Sequence, residues 1–190
     1  MDDTWCIRSA SEADLIRFYQ WITVQFEPME VKPLSAILEM RRTGHYHGLG
    51  LWSDEKLIGY MLLAYESQEE CVLIDYFAIL PNYQNTGWGS LFLQEVRNCM
   101  KVPVLLEVED PDYMGDADSI ETAMRRMRFY ERNGCVQSSV KLNLYEVDYV
   151  ILRLNPELNL ENTALKDRLD RVYHMFFPEE VYQKRVRYHD

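Results

Sequence analysis

The chain has little of what marks most function classes. Its four cysteines, Cys6, Cys71, Cys99 and Cys135, are widely spaced and form no C-x-x-C pair. That excludes a zinc ribbon or a disulfide framework and reads as free thiols of a reducing compartment. Histidines number four; His45 and His47 share one face of a strand candidate without a third ligand, so no metal is expected. Positive charge is short: 20 Lys and Arg stand against 31 Asp and Glu, a net charge of -11. This balance argues against general affinity for nucleic-acid backbones or anionic membranes and leaves a cationic partner as the milder inference. No apolar run is long enough to cross a bilayer, and the start "MDDTWCIRSASEADL" lacks the basic and apolar regions of a secretory signal, so a cytoplasmic protein is expected.

What is present is a core. A chain of 190 residues, 47% of them hydrophobic, favours a single domain with an appendage. A strand candidate at 4–8 is followed by Ser11 ahead of Leu15, Phe18 and Ile22, the pattern of a capped helix that Pro28 breaks. Pro33 and Gly44 bracket a second short helix. Two strands surround the polar turn Ser53–Lys56. Val72 to Ile79 is apolar except at Asp75, as in a strand buried on both faces. A helix with Trp88, Phe92, Val96 and Cys99 on one stripe comes next, then a strand at 102–110. Strand, helix, strand with short joints predicts a βαβ crossover, hence parallel strands at 72–79 and 102–109. A helix opening at Asp118 or Ser119 carries Ile120, Ala123, Met127 and Tyr130 and closes at Asn133–Gly134; strands at 135–145 and 147–154 pair antiparallel. Beyond Pro156, Leu165, Leu169, Val172 and Phe176 recur at helical spacing, and Pro178 starts a short helix running to Lys184, Arg185 and Arg187.

Glycine is scarce, eight in all, yet two fall at 87 and 89 in the turn between the buried strand and its helix. Such a junction leaves N–H groups unpaired and pointing outward, and glycines let an anion approach them without a Cβ in the way. The turn is not a P-loop, because no Gly-Lys-Ser/Thr follows. A dinucleotide fingerprint would place glycine at Phe92 for close helix–strand packing, although Glu107 falls at the spacing of its acidic residue.

Gln84-x-x-Gly87-x-Gly89 after a strand ending in "FAILP", with "FYERNGC" at 129–135, resembles the coenzyme A loop and late-helix signature of the GNAT N-acetyltransferase superfamily. The resemblance covers about residues 4–154. It implies an α/β fold with a GNAT-like mixed central sheet, helices on both faces, and a C-terminal helical extension. The implied domains are an acetyltransferase domain over 1–154 and the extension over 155–190. Acetyl-CoA is the implied acyl donor. Its pyrophosphate is expected on the amides of Gln84, Asn85, Thr86, Gly87, Trp88, Gly89 and Ser90, and its pantetheine along Phe77, Ala78 and Ile79. Gln84 stands where arginine is commoner in the family.

The reaction, an amine attacking a thioester, needs an acid for the leaving thiolate and a base for the amine. By the resemblance, Tyr130 stands at the acid position. Glu107 leaves the apolar face of its strand, and Asp75 is a lone charge in a buried strand that requires a partner or a function. Either serves as base, against an alternative of salt bridges with the arginines at 125, 126, 128 and 132, which otherwise form a solvated helix face. Arg126 is a candidate contact for a coenzyme phosphate.

The expectation is therefore an acetyl-CoA-dependent N-acetyltransferase acting by direct attack in a ternary complex, since no cysteine has a partner for a covalent relay. The acceptor is a small-molecule or peptide amine. The alternative is a non-catalytic acyl-CoA-binding or sensing module. The stripe Leu165, Leu169, Val172, Phe176 must be buried, on the same chain or on a second copy, which leaves monomer and homodimer open.

Overall fold

Local chemistry sets the ends of the elements in the computed structural model, which describes residues 4–66, 70–158 and 160–189. Helix α1 (Glu12–Gln25) begins with a capping box: the Asp14 N–H donates to Ser11 Oγ at 3.1 Å and the Ser11 N–H to Asp14 Oδ2 at 3.0 Å. Helix α2 (Leu34–Arg42) follows Pro33. Around them are strands β1 (Trp5–Ser9), β2 (Tyr46–Ser53), β3 (Lys56–Tyr65) and β4 (Val72–Ile79), then helix α3 (Trp88–Cys99). The remainder holds β5 (Val104–Glu109), α4 (Ala117–Arg132), β6 (Val136–Leu144), β7 (Val147–Arg153), α5 (Asn162–Phe176), α6 (Glu179–Arg185) and β8 (Val186–Tyr188). The α/β class expected from the sequence is the class observed.

The chain divides into two units, Met1–Tyr65 with Ile74–Val96 and Glu66–Leu73 with Arg97–Asp190. In the first, the strands run in the order β1-β2-β3-β4. β1 pairs antiparallel with β2, Trp5 opposite Ser53 and Ser9 opposite Leu49. β2 returns as β3 through a two-residue loop, Asp54 and Glu55, with φ of +47° and +63°. Both values positive is the type I′ condition, whose twist matches that of the flanking strands. Leu15, Phe18 and Ile22 of α1 are buried, and Phe18 stacks on Tyr60 at 5.5 Å. Gly59 marks a close approach: a Cβ there would lie 2.8 Å from the Ala78 carbonyl oxygen and 2.6 Å from Ile79 Cδ1. Only glycine lets β3 lie this near the end of β4.

In the second unit the order is β5-β7-β6-β8. β5 and β7 pair antiparallel with Glu107 opposite Ile151, and β6 and β7 form the expected hairpin, closed by Tyr145 and Glu146 at φ +52° and +69°. Asn155 is buried with both ends of its amide satisfied, accepting from the Val104 N–H and donating to the Val102 carbonyl, each at 2.8 Å. Helix α5 packs on β6 and buries Leu165, Leu169, Val172 and Tyr173 within the same chain. Glu66, fully buried, accepts from the Glu70 N–H at 2.7 Å and from Arg171 Nε of α5 at 3.0 Å.

Four local expectations change. Helix α4 starts at Ala117, two residues before Ser119, because Asp116 caps it by accepting the Ser119 N–H at 2.9 Å. On α3, Leu93 rather than Cys99 completes the buried stripe, and Cys99 is exposed. On α5 the fourth buried position is Tyr173, while Phe176 is half-buried. The last helix stops at Arg185, where Val186 turns into β8 and pairs antiparallel with β6, Leu144 opposite Val186 and Leu142 opposite Tyr188. A three-residue strand has no periodicity of its own to read, since pairing with β6 creates it.

Candidate active site

The turn from β4 to α3 is built to present backbone. Phe77, Ala78 and Ile79 are half-buried at the strand end. The Leu80 N–H then bonds to the Ile58 carbonyl at 2.9 Å and ends the pairing with β3. Pro81–Tyr83 forms one 3-10 turn. Asn85 and Gly87 take positive φ, +60° and +93°. The first bond of α3 runs from the Leu91 N–H to the Gly87 carbonyl at 3.1 Å. The amides of Trp88, Gly89 and Ser90 thus have no carbonyl four residues back inside the helix, and they carry the positive end of its dipole. Gln84 to Gly87 are exposed, whereas the Trp88 side chain is buried with Phe92, Leu93 and Val96. Phe77 meets Phe92 edge to face at 5.8 Å, fixing the strand end against the helix.

Gln84 has a definite partner. Its Nε2 donates to the Ile79 carbonyl at 3.0 Å, and Gln25 Nε2 donates to the same oxygen at 3.2 Å, with Gln25 Oε1 accepting from the Tyr60 hydroxyl at 2.9 Å. Burial pushes that phenol far above its ordinary pKa, so it remains a donor. Gln25 and Tyr60 carried no signal in the sequence, because their role depends on where β4 ends.

Asp75 is held by charge and by a phenol. Lys32 Nζ reaches its two oxygens at 2.8 and 2.9 Å, and the Tyr46 hydroxyl donates to it as well. The partner of this lone strand charge is therefore a lysine in the α1–α2 loop, not the arginine helix. Next to it, the Tyr76 hydroxyl accepts from the Lys32 N–H at 2.9 Å and donates to the Glu30 carbonyl at 2.6 Å, pinning that loop to β4. Burial, reinforced by the Asp75 charge, raises the Tyr76 phenol well above its usual range.

In the second unit, Tyr130 lies half-buried near the end of α4, with its ring 5.2 Å from Phe129. Burial pushes its hydroxyl up to about 12, with Arg126 acting in the opposite direction. No hydrogen bond to that hydroxyl occurs among the described residues, so it is available as a donor. Arg126 itself is exposed and engaged, donating to Glu109 at 2.8 Å. Arg125, Arg128 and Arg132 are exposed too, the solvated face that their run suggests. Glu107 accepts a hydrogen bond from Tyr173 of α5. Tyr173 went unread in the sequence because its spacing fits a core stripe as well as a polar contact.

Burial also raises the thiols of Cys71 and Cys135 to about 12, which leaves them protonated and poor nucleophiles. His47 Nε2 lies 3.1 Å from the Gly44 carbonyl, and no group of three or more metal-ligating side chains occurs among the described residues.

The profile of the acetyltransferase (GNAT) family matches residues 15–112. No curated protein matches the sequence. A solved GNAT-family protein from Bacteroides thetaiotaomicron superposes with a TM-score of 0.71 at 22% identity, covering 89% of this chain and 96% of its own. Spermidine N-acetyltransferase from Vibrio cholerae, solved with CoA and spermine, gives 0.57 at 12%, covering 78% and 94%. Arabidopsis thaliana Naa50, solved with the bisubstrate analogue CoA-Ac-MVNAL, gives 0.59 at 15%, covering 78% and 97%. At these identities the likeness to the solved structures is one of fold.

Proposed function

The chain belongs to the GNAT acetyltransferase family, and from that premise we propose that it moves an acetyl group from acetyl-CoA to a primary amine by direct attack in a ternary complex. The observation that carries the reading is the β4–α3 turn: exposed from Gln84 to Gly87, with Gly87 at φ +93° and amides at the head of α3 that precede its first helical bond. Backbone donors of this kind suit a pyrophosphate. The strand end at Phe77, Ala78 and Ile79 suits the pantetheine, and Asn85, Thr86, Trp88, Gly89 and Ser90 contribute amides.

In this reading the amine nitrogen attacks the thioester carbon, the C–S bond breaks, and the leaving thiolate takes the Tyr130 proton. Glu107 accepts the proton lost by the amine. Asp75, neutralised by Lys32 and holding the α1–α2 loop, orients the acceptor side rather than moving a proton. Spermine in one relative's complex and a peptide in another's make both small amines and peptide N-termini suitable acceptors to try. Cytoplasmic residence fits the reduced cysteines; among the described residues no helix is long and apolar enough to cross a membrane.

The pairing of Asp75 with Lys32 and of Arg126 with Glu109 favours the second reading, a module that binds acyl-CoA without turning it over. Titration calorimetry with acetyl-CoA and with NADH, followed by thiol release in the presence of spermidine or an unblocked peptide, separates the readings. Binding of acetyl-CoA with amine-dependent thiol release supports transfer. Binding with no release from any amine tried supports the module, and binding of NADH alone rejects both.

A further inference from the structure

Tyr173 lies on α5, outside residues 15–112 that the family profile matches, yet its hydroxyl donates a hydrogen bond to Oε1 of Glu107. Its placement is firm. Leu165, Leu169 and Val172 are fully buried on the same helix, and Arg171, two residues before the tyrosine, anchors α5 on Glu66. Tyr173 is itself 1% exposed, and its ring stacks 6.3 Å from that of Phe177.

A carboxylate partly removed from water favours its neutral form unless a donor compensates the charge, and a phenol aimed at one oxygen is such a donor. It also fixes the rotamer of the carboxylate. The phenol keeps its own proton, because burial and the adjacent Glu107 charge both raise it well above its usual range.

We infer that Tyr173 is a positioning residue of the C-terminal tail, whose hydroxyl orients Glu107 and holds it ionised for proton acceptance. This rests on the reading of Glu107 as the base. The other titratable and charged groups around the pair are Tyr188 of β8 and Tyr149 of β7. Next to these come Asp170 of α5, which accepts from Tyr182 at 2.7 Å, and Lys166, 4.4 Å above the Tyr188 ring. On the strand of Glu107, Glu109 is taken by Arg126. Losing the Tyr173 hydroxyl leaves Glu107 without that donor and raises its proton affinity.

The test uses the full chain labelled with carbon-13 at glutamate side chains. Glu107→Gln identifies the Glu107 carboxyl resonance, and its titration is compared between the parent and Tyr173→Phe, which keeps the ring. Tyr173→Leu is the second donor-free variant if the first does not fold. In parallel, the pH profile of kcat/KM for thiol release is recorded with whichever of spermidine and an unblocked peptide turns over faster. The expected result is a midpoint about one pH unit higher in Tyr173→Phe, with the acidic limb of the rate profile moving by the same amount and acetyl-CoA affinity unchanged. An unmoved midpoint overturns the inference. So does a moved midpoint with an unmoved limb, or a limb that survives in Glu107→Gln. The resonance arm needs no acceptor, so its failure is distinguishable from failure of the acyl-transfer reading.

Discussion

Gly87 at φ +93° is the residue on which the proposed anion-binding turn depends, because a branched side chain is strained at such a φ. Gly87→Val is expected to lower acetyl-CoA affinity more than about tenfold and to cost about 1–3 kcal/mol of stability. Calorimetry and urea denaturation measure the two effects, and unchanged affinity in a folded variant rejects the assignment of the turn. Tyr130→Phe removes the hydroxyl alone, so kcat should fall by about 10²-fold or more while acetyl-CoA binding stays level. The sign of its pH dependence follows from its position: an acid pushed up to about 12 is protonated at every lower pH, so Tyr130 contributes no alkaline loss of turnover in the ordinary working range. An alkaline limb near pH 9 that vanishes in Tyr130→Phe would contradict this. Lys32→Met leaves Asp75, with a side chain 6% exposed, to Tyr46 among the described residues. About 3 kcal/mol should be lost in urea denaturation, as expected when one partner of a buried pair is removed.

At the scale of elements, α5 holds the C-terminal tail in place. Its apolar stripe buries Leu165, Leu169 and Val172, and its arginines reach the segment ahead of β4: Arg171 bonds Glu66, and Arg168 donates to the Glu70 carbonyl at 2.9 Å. Arg171→Ala strands a fully buried carboxylate with one bond fewer, so a loss of about 3 kcal/mol is expected, most of it restored by Glu66→Gln in the same chain. Denaturant midpoints of the two single variants and the double variant decide this; additive losses would mean that the pair is not coupled. The stripe was legible because helical period needs only sequence. The choice between burial on the same chain and on a second copy was not, because an amphipathic face does not name its partner. β8 was illegible for a similar reason: Val186 to Tyr188 are extended because β6 offers an edge to pair with.

At the scale of the whole molecule, a chain of net charge -11 is read as binding a polyanionic coenzyme, so long-range attraction is not what holds it. Arg126 is engaged with Glu109, and a glutamine occupies position 84. Backbone amides at short range are screened little by salt, whereas net repulsion is screened strongly. The Kd for acetyl-CoA should therefore change by no more than about threefold between about 0.02 and 0.3 M salt. A steep weakening with salt would show that basic side chains carry the phosphates instead.

The sequence alone determined the α/β element order, the capped start of α1, the glycine turn after a buried strand and the tail's apolar stripe, because each depends on local periodicity, capping or turn chemistry. The roles proposed for Tyr130 and Gly87 came from the family resemblance, through two motifs at compatible spacing. Tertiary structure alone decided the partners: Lys32 and Tyr46 for Asp75, Tyr173 for Glu107, Glu109 for Arg126, and Gln25 with Gln84 for one carbonyl at the end of β4. A buried charge announces in the sequence that it must be compensated. Which distant side chain compensates it depends on how strands and helices separated by 29 to 66 residues come to lie against each other, and no local rule carries that information.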